Sequence, residues 1–201
     1  MSQTEIPVYI DFKSPYAFLA IRPIRAMALE YDVRLHWHPF NLTIGEFLGE
    51  VATRNDHQWR RVKYSYMDCR RLANQRGMTI LGPQKVYNST VACVGLLWAQ
   101  RHGAETAFID TVFERFFRRD LDIEDPDAIE AVLAGCGADP QGFADWQAGQ
   151  GREEFRRLSE QAMELGVFGV PSFLLDGELF WGGERLELLK ERLRARAVPY
   201  R

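Results

Sequence analysis

The fold is decided by the stretch VYIDFKSPYAF, residues 8–18. Residues 8–12 are β-branched, aromatic or aliphatic apart from one aspartate, which predicts a short strand. The strand ends before Ser14 and Pro15, because serine is a favourable helix N-cap and proline a favourable first helical residue. Apolar side chains then recur at helical spacing as far as Tyr31, so a helix is predicted directly after the strand.

The following segment completes a βαβ unit. Residues 33–38 alternate apolar and polar side chains, as a strand with one buried face does. Residues 8–39 are therefore predicted to form two parallel strands joined by a right-handed helical crossover. Such a unit cannot bury its sheet alone, so we expect strands from elsewhere in the chain to join it.

Those strands are predicted near the C-terminus. The segment PSFLLDGELFW, residues 171–181, contains two strand-like runs on either side of Asp176 and Gly177. This dipeptide is typical of a tight hairpin turn. A final helix is predicted over residues 184–197, so the end of the chain has the order ββα.

The middle of the chain is predicted to be helical, without a repeat or a low-complexity tract. The complete order predicts an α/β protein with a thioredoxin-like fold (βαβ…ββα) and a large all-helical insertion. We expect residues 1–45 and 166–201 to form the thioredoxin-like domain and residues 46–165 the helical insertion. Helices are predicted in the insertion at residues 59–75, 88–101, 104–118, 127–134 and 142–165, the last with a break near residues 149–151.

Composition and charge narrow the class of protein. The 201 residues are 46% hydrophobic and 26% charged, near globular averages. With 25 Lys and Arg against 28 Asp and Glu the net charge is −3, so no global positive field favours a nucleic acid. No apolar run or N-terminal signal indicates a membrane or secreted protein, and three widely spaced cysteines fit reduced core thiols. We expect a cytoplasmic enzyme or binding protein with small-molecule partners.

Two patterns that suggest metal ions are incomplete. His36 and His38 share one face of a predicted strand, but no further ligand residue follows at suitable spacing, which favours solvated histidines. Residues 120–131 are acidic, yet Asp125 and Ala131 stand where a calcium loop needs glycine and glutamate. No metal site is predicted.

Two points converge in a thioredoxin-like fold, namely the start of the first helix and the loop before the hairpin. The first normally holds a reactive cysteine, but here it holds Ser14, with Ala17 three residues later. Dithiol chemistry is therefore excluded there. The second holds Val170 and Pro171 after Gly169. A cis bond before Pro171 suits a tight reversal and would turn the N–H and C=O of Val170 towards a peptide-like ligand.

These two motifs occur in order with others along nearly the whole chain. The others are WHPF at 37–40, Asn55, Lys63-Tyr64 with Asp68, YNS at 87–89, and ELFWGGER at 178–185. In this combination the chain resembles the 2-hydroxychromene-2-carboxylate isomerases and the kappa-class glutathione transferases. Both are glutathione-using branches of the DsbA-like thioredoxin superfamily.

The resemblance implies that glutathione supplies the thiol that the protein lacks. The serine matching Ser14 hydrogen-bonds the glutathione sulfur, and the positive end of the first helix lowers a thiol pKa from about 8.5. The main chain of Val170, beside Pro171, pairs with the cysteinyl unit. Asn55 matches an active-site asparagine, placed near both glutathione and substrate, and Tyr87 matches a tyrosine on the substrate side.

The resemblance also assigns the γ-glutamyl end of glutathione to the turn formed by Trp181, Gly182, Gly183 and Glu184. Glu184 would face the ammonium group, although the family usually has the shorter aspartate at this place. The naphthalene-pathway isomerases also carry a lysine after the second strand, which residues 41–46 lack.

By the resemblance, we expect a glutathione-dependent isomerase of aromatic catabolism that forms a homodimer. In such isomerases, glutathione thiolate adds to a ring-opened conjugated side chain, the former double bond rotates, and the thiolate leaves. Two alternatives stay open. One is a kappa-like glutathione transferase or peroxidase that acts on another electrophile, and the other is a non-catalytic protein that binds thiol peptides.

Each site residue also has a purely structural interpretation. Ser14 can serve only as a helix cap, and Pro171 only as a hairpin residue. Glu184 can be a favourable charge in the first turn of the last helix. Asn55 can be a loop or capping residue, and Tyr87 a half-buried aromatic.

Overall fold

A four-stranded mixed sheet organises the structure, a computed structural model that describes residues 3–197. Its strands run in the order β2-β1-β3-β4. The β1–β2 pair is parallel, whereas β1–β3 and β3–β4 are antiparallel, which confirms the predicted thioredoxin-like fold. The strands are β1 (Thr4–Ile10), β2 (Val33–Pro39), β3 (Ser172–Leu175) and β4 (Glu178–Trp181).

The first strand begins earlier than the sequence predicted, at Thr4 instead of residue 8, and ends at Ile10. β2 pairs with β1 along the full length of both strands, whereas β3 pairs with β1 only at Val8 and Tyr9. Pro7 therefore lies in the part of β1 that β3 leaves uncovered. A proline is tolerated there, because it has no N–H to donate and β3 does not extend to this position.

The insertion is helical, as predicted, with differences in detail. The predicted helix 142–165 is two helices separated at Gly149, and the helix predicted from residue 59 begins at Asp56. A short helix and a 3-10 turn after β2 were not predicted. The α-helices are α1 (Pro15–Glu30), α2 (Ile44–Leu48), α3 (Asp56–Gln75), α4 (Thr90–Arg101), α5 (Glu105–Arg118), α6 (Pro126–Gly135), α7 (Phe143–Ala148), α8 (Gln150–Glu164) and α9 (Leu186–Ala197), and the 3-10 turns are Val51–Thr53 and Gly183–Arg185.

A buried aromatic cluster joins the sheet region to the insertion. Phe18 of α1 stacks on Phe113 and Phe117 of α5, with 5.3 Å between ring centroids in each pair. Arg25 adds two hydrogen bonds to the Asp110 carboxylate at 2.7 and 2.8 Å. The buried residues of both regions form one hydrophobic core. The division into domains stays a prediction, and its ends, residues 1–2 and 198–201, lie outside the described residues.

Candidate active site

Ser14 lies between β1 and α1 and caps the helix. Its Oγ accepts a hydrogen bond from the N–H of Ala17 at 3.2 Å, and its own N–H donates to the carbonyl of Asp11 at 2.9 Å. The residue is 6% exposed. Because the cap uses the hydroxyl oxygen only as an acceptor, the hydroxyl proton stays available for a ligand. The capping role therefore does not compete with binding a thiolate.

A buried polar network fixes the loop that carries this serine. The Asp11 carboxylate is fully buried and lies 2.7 Å from Nζ of Lys13. It also accepts from the N–H of Leu42 at 2.7 Å, three residues after the end of β2. Lys13 Nζ in turn donates to the side chains of Asn41 and Ser89. This network was not predicted, although two charged residues within an apolar segment were its signal.

The loop before the hairpin meets the turn after it. The Val170–Pro171 peptide bond is cis, and the N–H of Gly182 donates to the Pro171 carbonyl at 2.9 Å. The buried Ser172 hydroxyl donates to the Gly169 carbonyl at 2.7 Å. Within residues 3–197, the N–H and C=O of Val170 have no protein hydrogen-bond partner. These two groups are therefore free to pair with an extended ligand.

A cleft of about 680 Å³ runs between α1, the C-terminal half of α3 and these two loops. Tyr16, Leu19 and Pro23 of α1 form part of one wall. Ser14 is not among the lining residues but lies two positions before Tyr16. The cleft brings together six residues predicted from the sequence, namely Val170, Pro171, Trp181, Gly182, Gly183 and Glu184.

Two glycines give the turn side of the cleft its shape. A Cβ on Gly182, where φ is +99°, would lie 2.4 Å from Oε2 of Glu184, so the glutamate folds back over this glycine. A Cβ on Gly169 would lie 2.6 Å from Nε1 of Trp181. The Trp181 ring also packs on Phe168, with centroids 4.9 Å apart. Any side chain at either glycine would therefore displace a lining residue.

Tyr16 connects the cleft to a buried thiol. Its hydroxyl donates to Oδ2 of Asp68 at 3.2 Å. Burial, together with Cys69 and Asp68, raises the pKa of Tyr16 well above its ordinary value. Cys69 is fully buried, and burial raises its pKa to about 12. Both groups are therefore protonated at neutral pH, and Cys69 cannot act as a thiolate.

Two predicted residues lie away from the cleft. Asn55 is exposed, and its side chain forms a capping box with Gln58 at the start of α3. Tyr87 is half-buried and packs edge-on against Phe116, at 5.1 Å. It lines a smaller cavity of about 80 Å³ with Lys13 and Tyr66. The binding roles of Asn55 and Tyr87 stay predictions.

Arg76 lines the cleft and was missed by the sequence analysis. It follows α3 directly, and its Nη1 donates to the Leu19 carbonyl at 2.7 Å. That carbonyl has lost its helical partner, because Pro23 has no N–H to donate four residues later. A proline inside a predicted helix is a signal that some side chain must satisfy the freed carbonyl, but it does not say which one.

The two strand histidines differ: the His36 side chain is 41% exposed, with Nε2 3.5 Å from the Glu5 carboxylate, whereas His38 is more buried than predicted. His38 stacks on Tyr9 with ring centroids 5.1 Å apart, and burial lowers its pKa. Within residues 3–197, no group of three or more His, Cys, Asp or Glu side chains could hold a metal ion. Nor is any helix in this range long and apolar enough to cross a bilayer.

Comparison with known proteins identifies the family. The family described as "DSBA-like thioredoxin domain" matches residues 5–194. The chain belongs to the DSBA-like thioredoxin domain family. At the place where a thioredoxin-like fold normally holds a reactive cysteine, this chain has Ser14, followed by Ala17, so dithiol exchange is excluded at that site.

Several proteins similar to this DSBA-like chain are 2-hydroxychromene-2-carboxylate isomerases. It is 26% identical to a 2-hydroxychromene-2-carboxylate isomerase of Sphingobium xenophagum, over 94% of this chain and 97% of the relative. It is 25% identical to one of Pseudomonas putida, over 94% and 93%. A solved 2-hydroxychromene-2-carboxylate isomerase superposes with a TM-score of 0.80 at 23% identity, covering 96% of each chain. The predicted resemblance to these isomerases and the DsbA-like fold class are confirmed.

Proposed function

We propose that this chain is a glutathione-dependent isomerase that acts on an aromatic catabolite of the 2-hydroxychromene-2-carboxylate type. The proposal rests chiefly on the cleft, which joins the Val170–Pro171 loop to the Glu184 turn beside the helix that Ser14 begins. Its volume of about 680 Å³ is in the range of small-molecule sites. The full-length similarity to isomerases supports the reaction class.

The residues present fit glutathione. The unpartnered N–H and C=O of Val170 suit the backbone of a cysteinyl unit. The Glu184 carboxylate is exposed, and no protein group within residues 3–197 pairs with it, so it can accept from an ammonium group. Trp181 provides an aromatic side for the ligand. Together these groups match a tripeptide with a free amino group.

Ser14 would stabilise the thiolate in two ways. Its hydroxyl proton is available to donate to sulfur, while its oxygen caps α1. The positive end of the α1 dipole also favours a negative charge at this place. Held by Ser14 and the main chain of Val170, glutathione would supply a nucleophilic sulfur for reversible addition to a conjugated double bond. By the resemblance, the electrophile would approach from the side of Tyr87, which lies outside the cleft and lines the smaller cavity with Lys13.

Calorimetric titration of glutathione into the purified chain tests the cofactor. We expect saturable one-site binding that Glu184→Ala weakens and that Glu164→Ala, an exposed glutamate on α8, leaves unchanged. Ser14→Ala is titrated alongside to measure the serine's contribution to affinity. No binding at millimolar glutathione would overturn the proposal.

Product analysis then separates the reaction classes. An isomerase regenerates free glutathione after each turnover, whereas a transferase consumes it in a conjugate. With a ring-opened chromene carboxylate, we expect isomerised product and a constant glutathione concentration. Stoichiometric loss of glutathione would instead favour the kappa-like transferase. Binding without turnover of any electrophile would favour a thiol-peptide binding protein.

A further inference from the structure

A strap formed by residues 82–87 separates two cavities. The inner cavity, of about 80 Å³, is the one that Tyr87 lines with Lys13, the residue directly before Ser14. The outer cavity, of about 290 Å³, is lined by the strap, by the end of α5 and by the residues after it. Pro83 and Tyr87 line both cavities, and no other residue in the described part of the chain does so. The strap is therefore a thin wall with free space on either side.

The strap is held in place by side chains rather than by main-chain pairing. It connects α3 to α4 without regular secondary structure. Within residues 3–197, the main-chain groups of residues 83–87 form no hydrogen bond to another main-chain group. Val86 lines the inner cavity, yet 49% of its surface is exposed. Segments with few packed contacts and unpaired main-chain groups open at a low cost in free energy, so the strap can move while the rest of the fold stays intact.

Two side chains of the loop between α5 and α6 fasten the ends of the strap. Arg119 donates to the carbonyl of Gly82 from Nε at 2.8 Å and from Nη2 at 2.6 Å. At the other end, the Glu124 carboxylate accepts from the N–H of Asn88 at 2.6 Å and from Nζ of Lys85. The Lys85 and Glu124 side chains are both partly exposed, and exposed ion pairs contribute little to stability. These contacts hold the strap closed without fixing it permanently.

The inner cavity is too small for the proposed electrophile while the strap is closed. Small-molecule sites measure about 300–1,000 Å³, whereas the inner cavity holds about 80 Å³. An aromatic ring with a carboxylated side chain does not fit in it. The outer cavity provides the missing volume, because moving the strap into it joins the two spaces. The sizes of the two cavities therefore favour an outward movement of the strap.

We propose that residues 82–87 are a lid over the electrophile site and that Arg119 and Glu124 are its latch. The lid opens as one unit into the outer cavity and admits the electrophile beside Lys13, towards the sulfur held at Ser14. When it closes again, it excludes water from the reacting groups. Arg119 and Glu124 are positioning residues, because they act on the reaction only through the strap. The inference rests on the proposed function, which supplies the sulfur and the electrophile.

Amide hydrogen exchange, measured residue by residue, tests the latch from the opposite end of the lid. The N–H of Leu81 donates to the Phe117 carbonyl at 2.9 Å, a bond in which Glu124 takes no part. Glu124→Gln should nevertheless speed exchange at Leu81 about fivefold, because a released lid opens more often. Arg119→Gln should speed exchange at Asn88 to a similar extent. Unchanged rates at these distant amides would show that the strap does not open as a unit and would overturn the lid.

Glu114→Gln is the matched control for these variants. It breaks another exposed ion pair, the one between Glu114 and Arg22, which involves neither the strap nor the loop after α5. Exchange at Leu81 and Asn88 should stay unchanged in this variant. Equally fast exchange in Glu114→Gln would show a general loosening of the chain and would contradict the latch.

Two ligands separate the lid from the thiol site. Glutathione should slow exchange at the Val170 amide, which has no partner within the described residues, and leave Leu81 and Asn88 unchanged. S-benzylglutathione carries an aromatic group on the sulfur and should also speed exchange at Leu81 and Asn88, because the ring needs the open lid. Protection of Val170 by both ligands without faster exchange at Leu81 and Asn88 would overturn the lid. Absence of protection at Val170 with either ligand would overturn the proposed function, and the role of the lid for the electrophile with it.

Discussion

The carboxylate of Asp11 lies 2.7 Å from Nζ of Lys13, and both side chains are buried, at 0% and 7% exposure. The pair is separated by one residue in the chain, and it connects the end of β1 to residues far away in sequence. Lys13 reaches Ser89, 76 positions later, at 3.1 Å. The geometry of the loop before Ser14 therefore depends on one ion pair and its hydrogen bonds.

Breaking this pair should destabilise the chain strongly. Lys13→Met leaves the buried Asp11 carboxylate without its counter-ion, which typically costs about 3–5 kcal/mol of unfolding free energy. The double variant Asp11→Asn with Lys13→Met removes both charges and should recover part of the loss. Urea unfolding measures both effects.

An exposed pair provides the comparison. Glu153→Gln breaks the exposed contact with Arg156 on α8 and should not measurably change the urea midpoint. If Lys13→Met unfolds at the same urea concentration as Glu153→Gln, the buried pair does not have the structural importance inferred here.

Variants of Ser14 should separate capping from thiolate binding. Ser14→Ala removes both, and the lost cap costs about 1 kcal/mol. Ser14→Gly keeps most of the cap, since glycine is worse by only a few tenths of a kcal/mol, yet it lacks the hydroxyl. A hydrogen bond to a charged group contributes about 1.5–3 kcal/mol, so the pKa of the bound thiol should rise by about 1–2 units in both variants.

The ultraviolet absorbance of the thiolate, followed against pH with bound glutathione, measures this pKa. Ser14→Thr retains the hydroxyl and should behave like the unsubstituted chain. A thiolate titration that is identical in Ser14→Gly and the unsubstituted chain would remove Ser14 from the thiol site and leave it as a cap only.

Gly182→Ala should weaken both stability and glutathione binding. The position has φ +99°, and the new methyl group would lie 2.4 Å from Oε2 of Glu184. With ψ at 145° this is a backbone region that is essentially restricted to glycine, so the strain alone costs about 1–3 kcal/mol. The clash moves the carboxylate away from its place in the cleft, so calorimetry should show a lower affinity as well.

Gly177→Ala is the matched control. Gly177 also has a positive φ, +79°, but nothing lies within 4 Å of its added Cβ. It sits in the hairpin turn, away from the cleft lining. We expect a loss of stability from the positive φ alone, with unchanged affinity. Equal affinities for Gly182→Ala and Gly177→Ala would contradict the role given to Glu184.

The buried Cys69 thiol should make the chain sensitive to alkali. Burial raises its pKa from 9.0 to about 12 in the folded chain. Between these values the unfolded chain binds fewer protons than the folded chain, so stability is complete below pH 9 and falls as the pH rises towards 12. Cys69→Ala should reduce the slope of unfolding free energy against pH in that window.

Tyr66 is a second group whose titration lowers stability as the pH rises, because burial raises its pKa from 10.0 to about 12. Tyr66→Phe should reduce the slope only above pH 10, whereas Cys69→Ala acts from pH 9. Chemical denaturation at stepped pH distinguishes the two. Slopes that match the unsubstituted chain in both variants would show that neither group titrates between the folded and unfolded states as inferred.

Local patterns in the sequence were sufficient to predict the sheet, whereas the cleft residues at 181–184 were predicted from the resemblance to known isomerases. The Ser14-Pro15 cap and the Asp176-Gly177 turn each specify a chain reversal within a few residues. The loop at Val170 could be placed because the two halves of a βαβ…ββα fold meet at known ends of the sheet.

The parts that were missed depend on packing between distant segments. Helix α2 and the 3-10 turn at Val51–Thr53 are too short to show a periodic pattern. The contact of Arg76 with Leu19 requires α3 to end beside α1, at a separation of 57 residues. The bond from Lys13 to Ser89 likewise depends on how α4 approaches the sheet.

The proline at position 23 constrains evolution at a residue that is distant in sequence. Pro23 leaves the Leu19 carbonyl to be satisfied by Arg76, so during divergence the two positions should change together. A homologue with another amino acid at position 23 restores the helical bond and frees position 76 to vary. An arginine retained at position 76 without that proline would mark selection by the ligand alone.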